Sequence, residues 1–125
     1  MINKIRTIQM MESTLKEINK IGGIESSAIA SRDGLLICST LRDQKRAEVL
    51  VAMSATMVGA AEAASNELGN GIPETTIVES KNGKIIGYGA GPKAILLVMT
   101  RPETNLGWVL VEMKKASEKI KQVLE

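Results

Sequence analysis

Two dipeptides constrain this chain more than any other feature. Asp33-Gly34 and Asn82-Gly83 each stand between short runs rich in β-branched and apolar residues, IESSAIAS before LLICST and TTIVES before KIIGYGA. Both turn positions of a two-residue hairpin need positive φ, which such dipeptides supply. The chain is thereby committed to antiparallel pairs. The first turn sets Ala30 opposite Ile37 and Ile29 opposite Cys38, so apolar side chains fall on both faces. A sheet of that kind needs cover on both sides. A fifth run, KAILLVMT (93–100), follows the turn at Gly91-Pro92 and is the most apolar, which places it centrally.

Three segments with helical patterning supply the cover. The first sets Ile2, Ile5, Ile8, Met11, Leu15, Ile18 and Ile21 on one stripe and stops at Gly22-Gly23. The second runs from Lys45 to Leu68 and ends at the breakers GNGIPE. The third opens near Thr104-Asn105, with Leu106, Val109, Leu110, Met113, Ala116, Ile120 and Leu124 on its stripe. The order is α-β-β-α-β-β-β-α. It predicts an α/β (α+β) fold: a five-stranded antiparallel sheet, one helix on one face and two on the other, in a single domain spanning 1–125.

The residue inventory excludes most chemistry. The chain has no His, which removes the commonest general base and the commonest metal ligand. No catalytic, cofactor or metal site is expected. Cys38 stands alone between Ile37 and Ser39 with no His to activate it, so it reads as a structural thiol. GYGAGPK (87–93) lacks the spacing of a phosphate loop and lies between strands, so its glycines belong to strand and turn. Glu62 and Glu67 are five apart on a helix and diverge.

The net charge of +2 gives no nucleic-acid signature. Lys114, Lys115, Lys119 and Lys121 are interleaved with Glu112 and Glu118, as on a solvated helix face. No apolar run approaches the roughly 20 residues of a membrane span. The lone Cys and the absence of a secretory signal point to the cytoplasm. Trp108 falls away from its helix's apolar stripe, leaving two readings: packing beside the first helix, or contact with a partner.

The middle helix is the informative one. Leu50, Met53, Met57, Ala61, Ala64 and Leu68, flanked by Val51 and Val58, form the stripe expected to lie on the sheet. On the other side Ala55, Gly59 and Ala63 make a ridge of minimal height, and Ala52, Thr56 and Ala60 a second beside it. A mid-helix glycine costs about 1 kcal/mol relative to Ala, which suggests close approach by another helix. The strand Thr75, Thr76, Ile77, Val78, Glu79, Ser80 follows a loop and leads into a hairpin, so it should lie at the sheet margin. It carries no Pro or Lys to block pairing with another chain. Pairing with its own copy gives a two-fold homodimer whose middle helices meet.

This element order, with IESSAIASRDGLLICS, the Ala-rich middle helix and NLGWVLVEMKKASEKI, resembles the roadblock/dynein-light-chain domain over nearly the whole chain. Stand-alone prokaryotic members, which accompany Ras-like GTPases of the gliding-motility type, are the most similar. The resemblance implies a roadblock/profilin-like sandwich and a homodimer joined through the third strands into one ten-stranded sheet. It also implies a small Ras-like GTPase as partner, either regulated or merely scaffolded. Arg42, Arg46, Glu48 and Glu62, at or on the middle helix, are then the candidate partner contacts. A PAS-like sensory module and a structural adaptor are the alternatives.

Overall fold

The structure is a computed structural model that describes the backbone over residues 2–125 and side chains from Lys4 onward. Its elements are α1 (Ile2–Asn19), β1 (Ile24–Ser31), β2 (Leu36–Ser39), α2 (Gln44–Glu67), β3 (Thr75–Ser80), β4 (Gly83–Gly89), β5 (Ala94–Thr100) and α3 (Leu106–Leu124). The sheet order is β2-β1-β5-β4-β3, every neighbouring pair antiparallel. As the sequence implies, the most apolar strand is central and β3 is an edge.

Alternation within the strands makes two cores. Leu96 and Val98 of β5, Ile29 and Ile86 pack with Leu15 and Ile18 of α1 and Val109, Met113 and Ile120 of α3. The opposite side chains, Ala28, Ala30, Ile95 and Leu97, pack with Val51, Ala55 and Val58 of α2. Each fully buried aliphatic side chain contributes about 1.5–3 kcal/mol of transfer free energy. The first-helix stripe is used only from Met11 on: Ile5 and Ile8 are exposed, and the Ile2 side chain lies outside the described residues.

Both hairpins differ in detail from the sequence expectation. At the first, Gly34 alone has positive φ (87°), and the loop has three residues, with Ser31 N–H donating to Leu35 O. The extra residue shifts the register, so Ala30 meets Leu36 rather than Ile37 while Ile29 still meets Cys38. At the second, Ser80 pairs with Gly83, so the loop is Lys81-Asn82, and neither residue has positive φ. Gly83 instead serves a close approach within the sheet: a Cβ there would sit 2.6 Å from the Thr100 carbonyl oxygen.

α2 departs from expectation in another way. It is long enough, and over one 18-residue window apolar enough (mean hydropathy 1.3), to match a membrane span by composition, although only 28% of that window is buried. Buried Ala47, Val51, Ala55 and Val58 account for part of this hydropathy. The remainder is apolar surface that the monomer leaves uncovered.

A candidate self-association surface

Asp43 starts α2 by accepting a hydrogen bond from the Arg46 N–H (3.2 Å). Ala52 and Ala55 lie against Gly34 in the β1–β2 turn, and Val58 sits over Gly87 of β4, where a Cβ would come within 2.7 Å of Val58 Cγ2. Further along, Glu62 reaches Arg32 (2.7 Å), whose guanidinium also donates to Gly91 O in the β4–β5 turn. One half-buried arginine thus ties α2 to both turns.

The sheet-facing stripe is Ala47, Val51, Ser54, Ala55 and Val58. The helix is therefore rotated by about 100°, one residue step, from the stripe expected from side-chain size. Met53 is 66% exposed and Val49 60%, whereas Ala55, expected on the outer ridge, is 6% exposed. Small strand residues lie beneath the helix at Ala28, Ala30 and Gly87, and Val51, Ala55 and Val58 fill the space over them. Ala52, Thr56, Gly59, Ala60 and Ala63 are exposed, as the outer-face reading required. A Cβ added at Gly59 would meet nothing within 4 Å, and this residue continues the Ala52–Ala55 flank, which borders the turns. The opposite flank carries Met57, Ala61 and Ala64.

That opposite flank borders a bare corner of the sheet. Five strands at about 4.8 Å spacing span about 19 Å, and one helix covers about half of that. On the α2 face, Val78 pairs with Ile85, and Ile85 with Met99. Val78 is exposed, and Ile85 and Met99 are only partly buried. Along the edge, Thr75, Thr76 and Ile77 are partly buried and Glu79 and Ser80 exposed. Gly89 N–H donates to Glu74 O, which sets the phase of the ladder. The amides of Thr76, Val78 and Ser80 therefore face β4, and those of Thr75, Ile77 and Glu79 face outward without a strand partner.

Of the candidate partner contacts, Arg42, Arg46 and Glu48 are exposed at the start of α2. A shallow hollow of about 420 Å³ lies beside them, lined by Lys45, Arg46, Val49, Leu50 and Met53. Glu62 is instead held internally by Arg32, an ion pair for which the sequence offered no signal. On the other layer Trp108 stands beside α1 but is 60% exposed, across a groove rather than packed in.

Cys38 is partly buried beneath α1. Burial, then the nearby Glu12 carboxylate, pushes its thiol up from 9.0 to about 11. At pH 8 its thiolate fraction should be about a hundredfold below that of an ordinary cysteine, and iodoacetamide labelling correspondingly slow until the fold is denatured. Because the raised value favours the neutral thiol, the contribution to stability is complete below pH 9 and is lost as pH rises toward 11. Equal labelling rates in native and denatured protein at pH 8 would contradict this. Among the described residues, no cluster of three or more His, Cys, Asp or Glu could hold a metal ion.

A family model described as the Roadblock/LC7 domain matches residues 10–100. The uncharacterized protein MJ1340 of Methanocaldococcus jannaschii is 41% identical over 112 residues, 90% of this chain and 97% of the relative. Among solved structures, Myxococcus xanthus MglB superposes with a TM-score of 0.84 at 19% identity, over 94% of this chain and 89% of that one. A structure described as MglB with tetrameric arrangement gives 0.78 at 19% identity, covering 97% and 89%.

Proposed function

This chain belongs to the Roadblock/LC7 domain family, and from that premise we propose that it is a non-enzymatic, cytoplasmic homodimer that docks a small Ras-like GTPase. The observation that carries the dimer is the bare corner beside α2, continuous with an unprotected edge. If β3 pairs antiparallel with its own copy, the partner's β3 begins beside the end of this one. The partner's α2 then lies over Val78 and Ile85. It packs against the flank of Met57, Ala61 and Ala64. One operation covers both the edge and the corner.

The GTPase reading rests on the family resemblance and on the likeness to MglB structures, which is a likeness of fold. Arg42, Arg46 and Glu48, with the neighbouring apolar hollow, are the surface offered to that partner. Any stimulation of hydrolysis works by reshaping the GTPase's own switch regions, with no arginine inserted into its site. The test is co-elution with a Ras-like GTPase loaded with GDP or a GTP analogue. Preference for the GTP form supports regulation, equal binding supports scaffolding, and no binding to either refutes the partner. Arg42→Ala and Arg46→Ala should leave stimulated hydrolysis within about twofold. Loss of stimulation with binding intact would identify an inserted arginine.

The dimer has its own test on α2. Ala64→Arg should weaken self-association at least about tenfold by placing a cation in the helix contact. Gly59→Leu lies on the other flank and should change association little while raising helix propensity by about 0.8 kcal/mol. Light scattering against 13.4 kDa for the monomer reads both. A larger effect at Gly59 than at Ala64 would move the contact to the turn-side flank.

A further inference from the structure

The layer opposite α2 holds a groove that neither of these surfaces uses. It is about 990 Å³ in volume and lies between the second half of α1 and α3, lined from Ser13 to Gly22 on one side and from Asn105 to Lys119 on the other. This is about 14 Å along the α1 side and about 21 Å along α3, or two to four turns. Ile18, Ile21 and Ala116 contribute its apolar lining and Trp108 one wall. Trp108 is the chain's one tryptophan. Its backbone amide is taken by the Asn105 cap, and its indole N–H donates to no group among the described residues.

Charge gives the occupant its sign. The charged residues lining the groove are Lys20, Lys115 and Lys119 against Glu17 and Glu112, a net positive wall. Within the groove Lys20 and Lys115 pair with Glu17 and Glu112 at 3.1 and 3.7 Å, each pair within its own α1 or α3 segment, and the lysines remain well exposed. Such pairs are weak and exchange readily for a better anion. Lys119 has no ion pair among the described residues.

Backbone chemistry gives its form. The α1 and α3 walls have their main-chain groups satisfied internally, so an extended peptide would find no ladder to join. A helix brings its own hydrogen bonds and needs only a groove for its apolar ridge. A concave site with Glu17 and Glu112 on its walls suits neither a flat anionic bilayer nor a nucleic-acid backbone. We infer that the α1–α3 groove is a docking site for an acidic amphipathic helix of a partner protein. Its apolar ridge packs against Trp108, and its carboxylates meet Lys20, Lys115 and Lys119. This site is separate from the α2 and β3 surface, and neither proposal depends on the other.

Trp108 itself reports binding. The probe is a synthetic helical peptide of about 15 residues, Leu at spacings of three and four and Glu elsewhere, titrated into the full chain. A second peptide has Lys in place of Glu, and a third arm uses phosphatidylglycerol vesicles. The acidic peptide should shift Trp108 emission to the blue with saturation, and the lysine peptide should not. The double variant Lys115→Glu/Lys119→Glu, both on the exposed helix face, should weaken that binding at least about tenfold while keeping the far-UV circular dichroism of the parent. No saturable shift with the acidic peptide, equal response to both peptides, or a response to vesicles alone would each overturn the proposal.

Discussion

If the proposed homodimer forms through β3, Glu79→Pro should convert it to a monomer at micromolar concentration without unfolding the chain. Glu79 lies on the edge strand, with its side chain in solvent and its amide pointing away from β4. Proline there removes a donor that the monomer does not use, and edge strands accept proline at such positions. In a two-fold pair the lost hydrogen bond occurs twice. At about 1–1.5 kcal/mol each the total is about 2–3 kcal/mol, or roughly a hundredfold in dissociation constant. Sedimentation equilibrium over a range of concentrations measures it. If parent and variant show one mass curve, the edge is not the contact.

Gly83→Ala tests the fold itself and should be strongly destabilising for a single added methyl. At most crowded glycines the neighbour is a side chain that can move, as Val58 can at Gly87. At Gly83 it is the Thr100 carbonyl oxygen, 2.6 Å from the new carbon, in the central strand. Neither backbone can retreat without disturbing the β4–β5 ladder, where Lys84 pairs with Thr100. Overpacking of this kind costs about 2–3 kcal/mol, which for a domain of this size lowers the melting temperature by about 10 °C. A melting temperature within a degree or two of the parent would show that β4 and β5 separate there at little cost.

Gly83 also shows where sequence reasoning worked and where it stopped. Asn82-Gly83 correctly announced a hairpin, because turn residues are local. It could not reveal that the glycine was needed one position later, against a carbonyl on a distant strand. The same division runs through the chain. Element order, the edge position of β3, the central position of β5 and the two-against-one placement of helices follow from periodicity and breakers. The Arg32–Glu62–Gly91 tie joins three distant segments and left no pattern to find.

The rotation of α2 is the most instructive miss. Size ranking assigns Met53 to the sheet and Ala55 to the outside, on the assumption that one chain buries its own largest side chains. The structure reverses both: Val51, Ala55 and Val58 fill the space over Ala28, Ala30 and Gly87, and Met53 is left in solvent. The signal was present in those small strand residues, but it is legible only once their strands are placed beneath the helix. With the strands in place, the candidate surface moves from the Gly59 flank to that of Met57, Ala61 and Ala64.

The position of β5 has a consequence for how the molecule comes into being. β1 and β4 never touch; each pairs with β5, which is made after both. As the chain leaves the ribosome, the β1–β2 and β3–β4 hairpins can close on their own, but neither has a neighbouring strand until residue 94 and beyond has emerged. Both cores draw on β5, so neither can consolidate earlier. Folding is therefore held until β5 has emerged and then completes over long sequence separations. Until then β3 has β4 on one side and nothing on the other, so its outward amides are open from the moment the hairpin closes.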